Sequence, residues 1–248
     1  MARRILSGIA AVILLAACGT TSGSDSTSRA STSVPDSAPP TTIRRVNVVA
    51  TAIVPSVAVY ENPGAAEPIY TLENPAPPYG TPLVFFVREQ RDDWLDVAVP
   101  VRPNGSTGWV RTSDVELTTH DFRMLVELGA RRLTVWEGDR VVAEEPIGIG
   151  ADTAPTPPGT YYTRELLQPE NPDGAYGPYA YGLSGYSEVI FDFTNNGVRG
   201  DGRLAIHGTN QPESIGQSEG NGCIRISNDA VTALAGTLPI GVPVEIRS

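Results

Sequence analysis

A histidine and a cysteine stand near the two ends of a glycine-rich stretch from His207 to Asp229, H-G-T-N-Q-P-E-S-I-G-Q-S-E-G-N-G-C-I-R-I-S-N-D. A thiol attacks as the thiolate, and a free cysteine titrates near about pH 8.5. An imidazole beside it can take the proton and leave a thiolate–imidazolium pair. Arg203 to Ile206 reads as a buried strand leading into His207, and Ile224-Arg225-Ile226-Ser227 alternates apolar and polar residues. An N-cap at Ser227 or Asn228 and a short helix over 229–235 follow. The loop between the two runs lets the chain fold back so that Cys223 can lie beside His207. Gly220 and Gly222 permit close approach of backbone to a substrate, and N–H groups around Gly222-Cys223 can face the oxyanion of an acyl intermediate.

Two other readings of these side chains were weighed. A buried, inert cysteine is common in cores, but Cys223 follows a glycine and sits at a workable spacing from His207. A zinc site needs at least three protein ligands. The chain has 2 His, at positions 120 and 207, to set beside this cysteine, so neither a metal nor a cofactor is expected.

The stretch resembles the catalytic motif of the L,D-transpeptidases, the YkuD family. The residues that carry the likeness are I-H-G-T-N at 206–210, Gly216 and G-C-I-R-I-S-N-D at 222–229. The resemblance implies that Cys223 is acylated by a peptidoglycan stem peptide, with His207 as the base and the carbonyl of Gly208 orienting the imidazole. It also implies substrate contacts at Thr209, Arg225, Tyr176, Tyr179 and Tyr181. Arg225 has two roles open to it, binding a substrate carboxylate or holding the loop through backbone carbonyls, and the second is preferred. Many members carry Ser/Thr-His immediately before Gly-Cys, where this chain has Gly220-Asn221. Any oxyanion role of that second histidine then falls to Asn221 or to backbone N–H groups.

The N-terminus is read separately from the fold. Arg3-Arg4 form a basic region, Ile5 to Leu15 an apolar one, and Leu15-Ala16-Ala17-Cys18 resembles a lipobox. The apolar run is shorter than the roughly 20 residues that span a bilayer. Residues 1–17 are therefore expected to be a lipoprotein signal peptide, with Cys18 lipidated and anchored in the membrane. The protein would face the cell wall from the outer side of the plasma membrane. The chain has 2 Cys, so lipidation of Cys18 leaves Cys223 without an intramolecular partner, and such a thiol in an exported protein is flagged as reactive. Residues 18–44 are dominated by Ser, Thr, Gly, Pro and Ala, too few apolar groups to offset ordering entropy, and read as a disordered tether. The net charge is −10, and no basic stripe suggests nucleic acid.

The expected fold class is mainly β. Residues 45–118 carry short apolar runs broken by Pro and Gly, at 46–54, 57–60, 83–87, 94–99 and 108–110. They are similar to a bacterial SH3-like barrel through Trp94-Leu95-x-Val97, the Pro103-Asn104-Gly105 turn and Gly108-Trp109-Val110-Arg111. Trp94 and Trp109 are candidate core aromatics. Residues 121–248 read as a second, β-rich domain with one short helix after the cysteine, and the family resemblance covers nearly all of it. Strands are expected at 122–128, 131–136 and 140–143, with turns of Gly and Asp between them, and the resemblance implies a last strand over 240–246. Residues 165–187 read as one long loop rich in Tyr and Gly, which the resemblance makes a lid over the donor groove.

The function expected from these readings is that of a monomeric enzyme cross-linking peptidoglycan stem peptides as donor and acceptor. The alternatives are an L,D-carboxypeptidase that uses water in place of the acceptor amine, or a wall-binding lipoprotein whose catalytic domain has decayed.

Overall fold

The structure is a computed structural model that describes residues 46–195 and 198–248. The expected signal segment and the whole of the tether, Cys18 included, lie outside the described residues. The fold is mainly β, with one short α-helix.

The N-terminal strands are β1 (Asn47–Ala52), β2 (Ser56–Val59), β3 (Tyr70–Glu73), β4 (Val84–Arg91), β5 (Trp94–Ala98), β6 (Thr107–Arg111) and β7 (Val115–His120). Five form an antiparallel sheet in the order β6-β5-β4-β1-β7, and β2 pairs with β3. Alternation decides what is buried. Leu95 and Val97 face inward beside Phe85, Val87 and Val110, forming a core of their own. Trp94 and Trp109 lie on the opposite face of their strands and are half-buried. The guanidinium of Arg111 sits 4.5 Å over Trp94, and that of Arg91 sits 4.9 Å over Trp109. Neither indole belongs to the core, a correction to the sequence reading that follows from strand parity.

The second set begins with β8 (Phe122–Glu127), β9 (Arg132–Glu137), β10 (Arg140–Pro146), β11 (Ile149–Gly150), β12 (Gly159–Leu167) and β13 (Ala180–Tyr186). It continues through β14 (Phe193–Asn195), β15 (Val198–Gly200), β16 (Arg203–His207), β17 (Ser218–Gly220), β18 (Ile224–Arg225), α1 (Asn228–Ala235) and β19 (Pro243–Arg247). Eight strands form one sheet, ordered β10-β9-β8-β19-β12-β13-β16-β18. The pairs β19–β8 and β16–β18 are parallel and the others antiparallel. Ser227 caps α1, accepting from the Ala230 N–H at 3.1 Å. Ala230, Val231 and Leu234 then seat the helix on the core formed by Leu204, Ile206, Ile224 and Ile226.

The long loop expected over 165–187 is shorter. β12 runs to Leu167 and β13 starts at Ala180, so the connection spans 168–179. Gly182 and Gly185 lie inside β13. A Cβ on Gly185 would fall 2.2 Å from the Tyr161 ring, and one on Gly182 would fall 2.6 Å from Glu165 Oε1. The small residues that looked like loop composition instead make room for large side chains of the neighbouring strand.

The two cores meet through buried phenols and side-chain clamps. Tyr162 Oη donates to Val84 O at 2.8 Å, and its ring stacks near Phe86 with centroids 6.4 Å apart. Tyr186 Oη donates to Pro100 O at 2.8 Å. The Asn104 side chain pairs with both backbone groups of Tyr186 at 2.8 Å each. Arg102 donates to the carbonyls of Ser187, Ile190 and Asp201. Replacing Tyr162 by Phe keeps the ring but leaves a buried carbonyl without its donor, which costs about 1–3 kcal/mol. Chemical denaturation of Tyr162→Phe should show a loss in that range, and an unchanged midpoint would refute the role given to this hydroxyl.

Candidate active site

The register of β16 places the chemistry. Ile206 pairs with Ile224 and His207 with Arg225 in a parallel ladder. Leu204, Ile206 and Ile224 are all within 1% of fully buried, so they occupy the core face. Side chains alternate along a strand, so Arg203, Ala205 and His207 point to the opposite face. One more step of the register sets Cys223 beside Ala205, on that same face with His207 and Arg225. The thiol and the imidazole are thus diagonal neighbours on adjacent strands.

Several contacts hold this arrangement. His207 Nδ1 lies 2.5 Å from Gly208 O; with Nδ1 as the donor, Nε2 is left as the basic nitrogen. Tyr176 packs edge-on against the imidazole with ring centroids 4.9 Å apart. Cys223 is half-buried, and its Sγ is 3.9 Å from Arg203 O. Gly222 has φ +97°, a conformation that a side chain strains.

The glycine-rich loop is stitched to the segment 147–151. Gly216 N–H donates to Ile147 O, Ile149 N–H to Gln217 O, and Ala151 N–H to Gly220 O, at 2.8–3.0 Å. Gly148 and Arg225 exchange both backbone hydrogen bonds at 2.9 Å. A Cβ on Gly150 would fall 2.2 Å from Ala154 O and 2.9 Å from Gly222 Cα. The run Ile147-Gly148-Ile149-Gly150 therefore positions the cysteine turn, a role its sequence shows only as a glycine between each pair of apolar residues. The loop is held by the Arg225 backbone, while its guanidinium donates to Gln211 Oε1 at 3.3 Å.

Asn228 is a second residue that sequence reasoning treated only as a possible cap. Its Oδ1 accepts from Thr209 N–H at 2.8 Å. Added Cβ atoms on Gly177 and Gly208 would lie 2.4 and 2.3 Å from that oxygen. The start of α1 thereby fixes both the turn after His207 and the 168–179 loop. Thr209 is buried, and its Oγ1 accepts from Gln211 N–H at 3.0 Å. Asn221 is exposed on the loop.

The tyrosines separate by burial. Tyr176 and Tyr179 are half-buried, and Tyr179 O accepts from Gly208 N–H at 3.3 Å. Tyr181 corrects the expectation. It pairs with Ile206 on the core face, is 0% exposed, and its Oη donates to Leu234 O at 2.9 Å. It cannot line a groove on the opposite face.

Burial also acts on the ionisation of the pair. Burial pushes the His207 pKa down to about 4, opposed by the Gly208 hydrogen bond and assisted by the nearby Arg225 cation. Burial pushes the Cys223 thiol up, opposed by the Ala205 backbone and by Arg225. Both shifts favour the uncharged partners over the ion pair.

The profile of the YkuD family, the L,D-transpeptidase catalytic domain, matches residues 121–246. The chain belongs to this family. The Bacillus subtilis protein YkuD is 34% identical over 129 residues, covering 52% of this chain and 68% of that protein. YqjB of the same organism is 38% identical over 87 residues, covering 35% and 43%. The solved structure of Bdellovibrio bacteriovorus Bd1075 aligns with TM-score 0.38 and 26% identity over 51% of this chain, which spans 47% of that one. The matched region of this YkuD-family chain contains β8–β19 and the whole His207–Cys223 face, and it excludes β1–β7.

Two pH effects follow. Alkylation of Cys223 by iodoacetamide should have a midpoint above the free-cysteine value of about 8.5, and a midpoint near pH 6 would restore the resting ion pair. His207 titrates near 4 folded and near 6.5 unfolded, so the unfolded chain binds the extra proton between those values and stability rises with pH across them. Denaturation at pH 7 and pH 4.5 should show His207→Gln losing about 2 kcal/mol less than the parent on acidification. Equal losses would show that His207 is not held neutral by the fold.

Proposed function

We propose that the protein is a peptidoglycan L,D-transpeptidase whose acyl carrier is Cys223. The observation that supports this most directly is the register that sets Cys223 and His207 on one face of adjacent strands, within a domain of the YkuD family. The donor is a tetrapeptide stem. As Sγ attacks the carbonyl before the terminal D-residue, its proton passes to His207 Nε2, and the N–H groups around Gly222-Cys223 face the oxyanion. The amide C–N bond breaks, and the imidazolium returns the proton to the leaving amine. A side-chain amine of a second stem then attacks the thioester. The new C–N bond forms, the C–S bond breaks, and His207 relays the amine proton to the thiolate.

A neutral resting pair suits this sequence. A base titrating near 4 stays unprotonated through the neutral range, and proton transfer accompanies attack instead of preceding it. Arg225, on the same face, stabilises the thiolate as it forms. The 45–118 segment is proposed as an SH3-like module, and residues 1–44 as a lipoprotein signal and tether that hold the enzyme at the outer face of the plasma membrane. Cys18→Ala should release the protein from the membrane fraction; continued incorporation of a palmitate analogue in that variant would refute the lipobox.

The test of function is incubation of the full-length chain with disaccharide-tetrapeptide, read by mass spectrometry. Cross-linked dimer is the expected product, and trimmed tripeptide alone would assign a carboxypeptidase. Cys223→Ala should abolish turnover, and His207→Ala should reduce it by about 10²–10⁴-fold. Cys223→Ala activity within about tenfold of the parent, or ~1.4 kcal/mol in barrier, would overturn the assignment.

A further inference from the structure

The face that carries Cys223 also carries a buried carboxylate, and the N-terminal β unit reaches it. Glu165 pairs with Gly182, and Gly182 with Ala205, so the row Glu165–Gly182–Ala205 leads across the sheet towards Cys223. Gly182 leaves space for the Glu165 side chain, which is 1% exposed. Glu165 Oε1 accepts from Arg203 Nη1 at 2.6 Å. Its Oε2 accepts from Thr81 Oγ1 at 2.7 Å. Thr81 belongs to the β3–β4 connection of the N-terminal unit, and the Arg203 carbonyl is the one that approaches Cys223 Sγ. The connection is thus seated on the catalytic face by a charge-assisted bond to a buried ion pair.

The same connection is stiff. Asn74 Nδ2 bridges Ala52 O at 3.2 Å and Val54 O at 3.0 Å, and its Oδ1 accepts from Leu83 N–H at 3.0 Å. Ala76 N–H donates to Thr81 O at 2.7 Å, and Gly80 N–H to Ala76 O at 3.0 Å. Between these bonds stands Tyr79, a large aromatic side chain that remains 44% exposed. Its phenol feels the charges of Arg203, Glu165, Asp201 and the Cys223 thiol, and burial is the largest influence, raising its pKa. It is a neutral hydrogen-bond donor at neutral pH, open to solvent on the connection that Thr81 seats on the Cys223 face.

We propose that Tyr79 forms one wall of the acyl-transfer cleft, opposite Tyr176, and contacts the peptide stem delivered to Cys223. The catalytic domain then lacks one wall of its own cleft, and the N-terminal unit supplies it. The ring packs on the stem, and the hydroxyl donates to a stem carbonyl or carboxylate. Tyr79 is a specificity residue; the proton transfers stay with His207. This inference rests on the acyl-transfer reading above.

The full-length parent, Cys223→Ala, Tyr79→Ala and Tyr79→Phe are compared on disaccharide-tetrapeptide. Tyr79→Ala should lower kcat/KM at least tenfold, mainly through KM, and Tyr79→Phe should fall between it and the parent. With an active parent, Tyr79→Ala within twofold of it would overturn the proposal. A second arm needs no turnover. The Cys223-bearing peptide is followed by mass spectrometry during reaction with a bulky maleimide, so that Cys18 does not contribute. Removing the wall should raise the Cys223 rate at least threefold in Tyr79→Ala, with an unfolding midpoint equal to the parent's, and an unchanged rate would overturn it. A parent that makes no product sinks the transpeptidase reading, while the maleimide arm still decides whether Tyr79 walls the cysteine.

Discussion

The two-residue parallel pairing of β18 with β16 is the constraint on which the catalytic face depends. A strand has a period of two, so a slip of one residue would turn Cys223 and Arg225 into the core and Ile224 out of it. The burial of Leu204, Ile206 and Ile224 forbids that slip. Each side chain of this kind stabilises by about 1.5–3 kcal/mol when buried, as much as the roughly 1–3 kcal/mol of two backbone hydrogen bonds. The apolar face thus sets the position of the reactive one. The exchange of backbone bonds between Gly148 and Arg225 gives so short a strand a second neighbour, without which its register would rest on a single partner.

Burial has a second consequence on the same face. It raises the thiol and lowers the imidazole, and both shifts disfavour ionisation. A thiol kept neutral at rest is less open to oxidation and adventitious alkylation, since both require the thiolate. Arg225 opposes this for the cysteine and reinforces it for the histidine. One cation therefore favours a charged Cys223 and an uncharged His207 together.

The N-terminal unit is bound to the catalytic sheet by polar groups that burial makes sensitive to loss. Tyr162, Tyr186 and Asn104 each satisfy backbone groups across the boundary, and Thr81 completes the Glu165 carboxylate. An ion pair such as Glu165–Arg203 is weak evidence of stability, because desolvation offsets most of its attraction. Its value here is directional. A buried carboxylate with two fixed donors accepts them in one geometry, and that geometry seats the Tyr79 connection on the face that carries Cys223.

Local pattern in the chain was enough to single out Cys223 and His207 as candidates for nucleophile and base, and to read the alternating strands that flank them, the capped helix after Cys223 and the mainly β class. Those features rest on residue type, period and spacing within a few tens of residues. The β13 strand was hidden, because A-Y-G-L-S-G-Y has the composition of a loop, and only the bulk of Tyr161 and Glu165 on the adjacent strand explains its glycines. Tyr181 looked equivalent to Tyr176 and Tyr179, and only its pairing with Ile206 put it in the core. The protonation of the Cys223–His207 pair was illegible for the same reason, since desolvation is a property of what surrounds a group and not of its neighbours in sequence. Thr81 and Glu165 stand 84 residues apart, and no local pattern connects them. Sequence determined which groups could react; the tertiary structure decided which face they share, what charge they carry at rest and which distant side chains close around them.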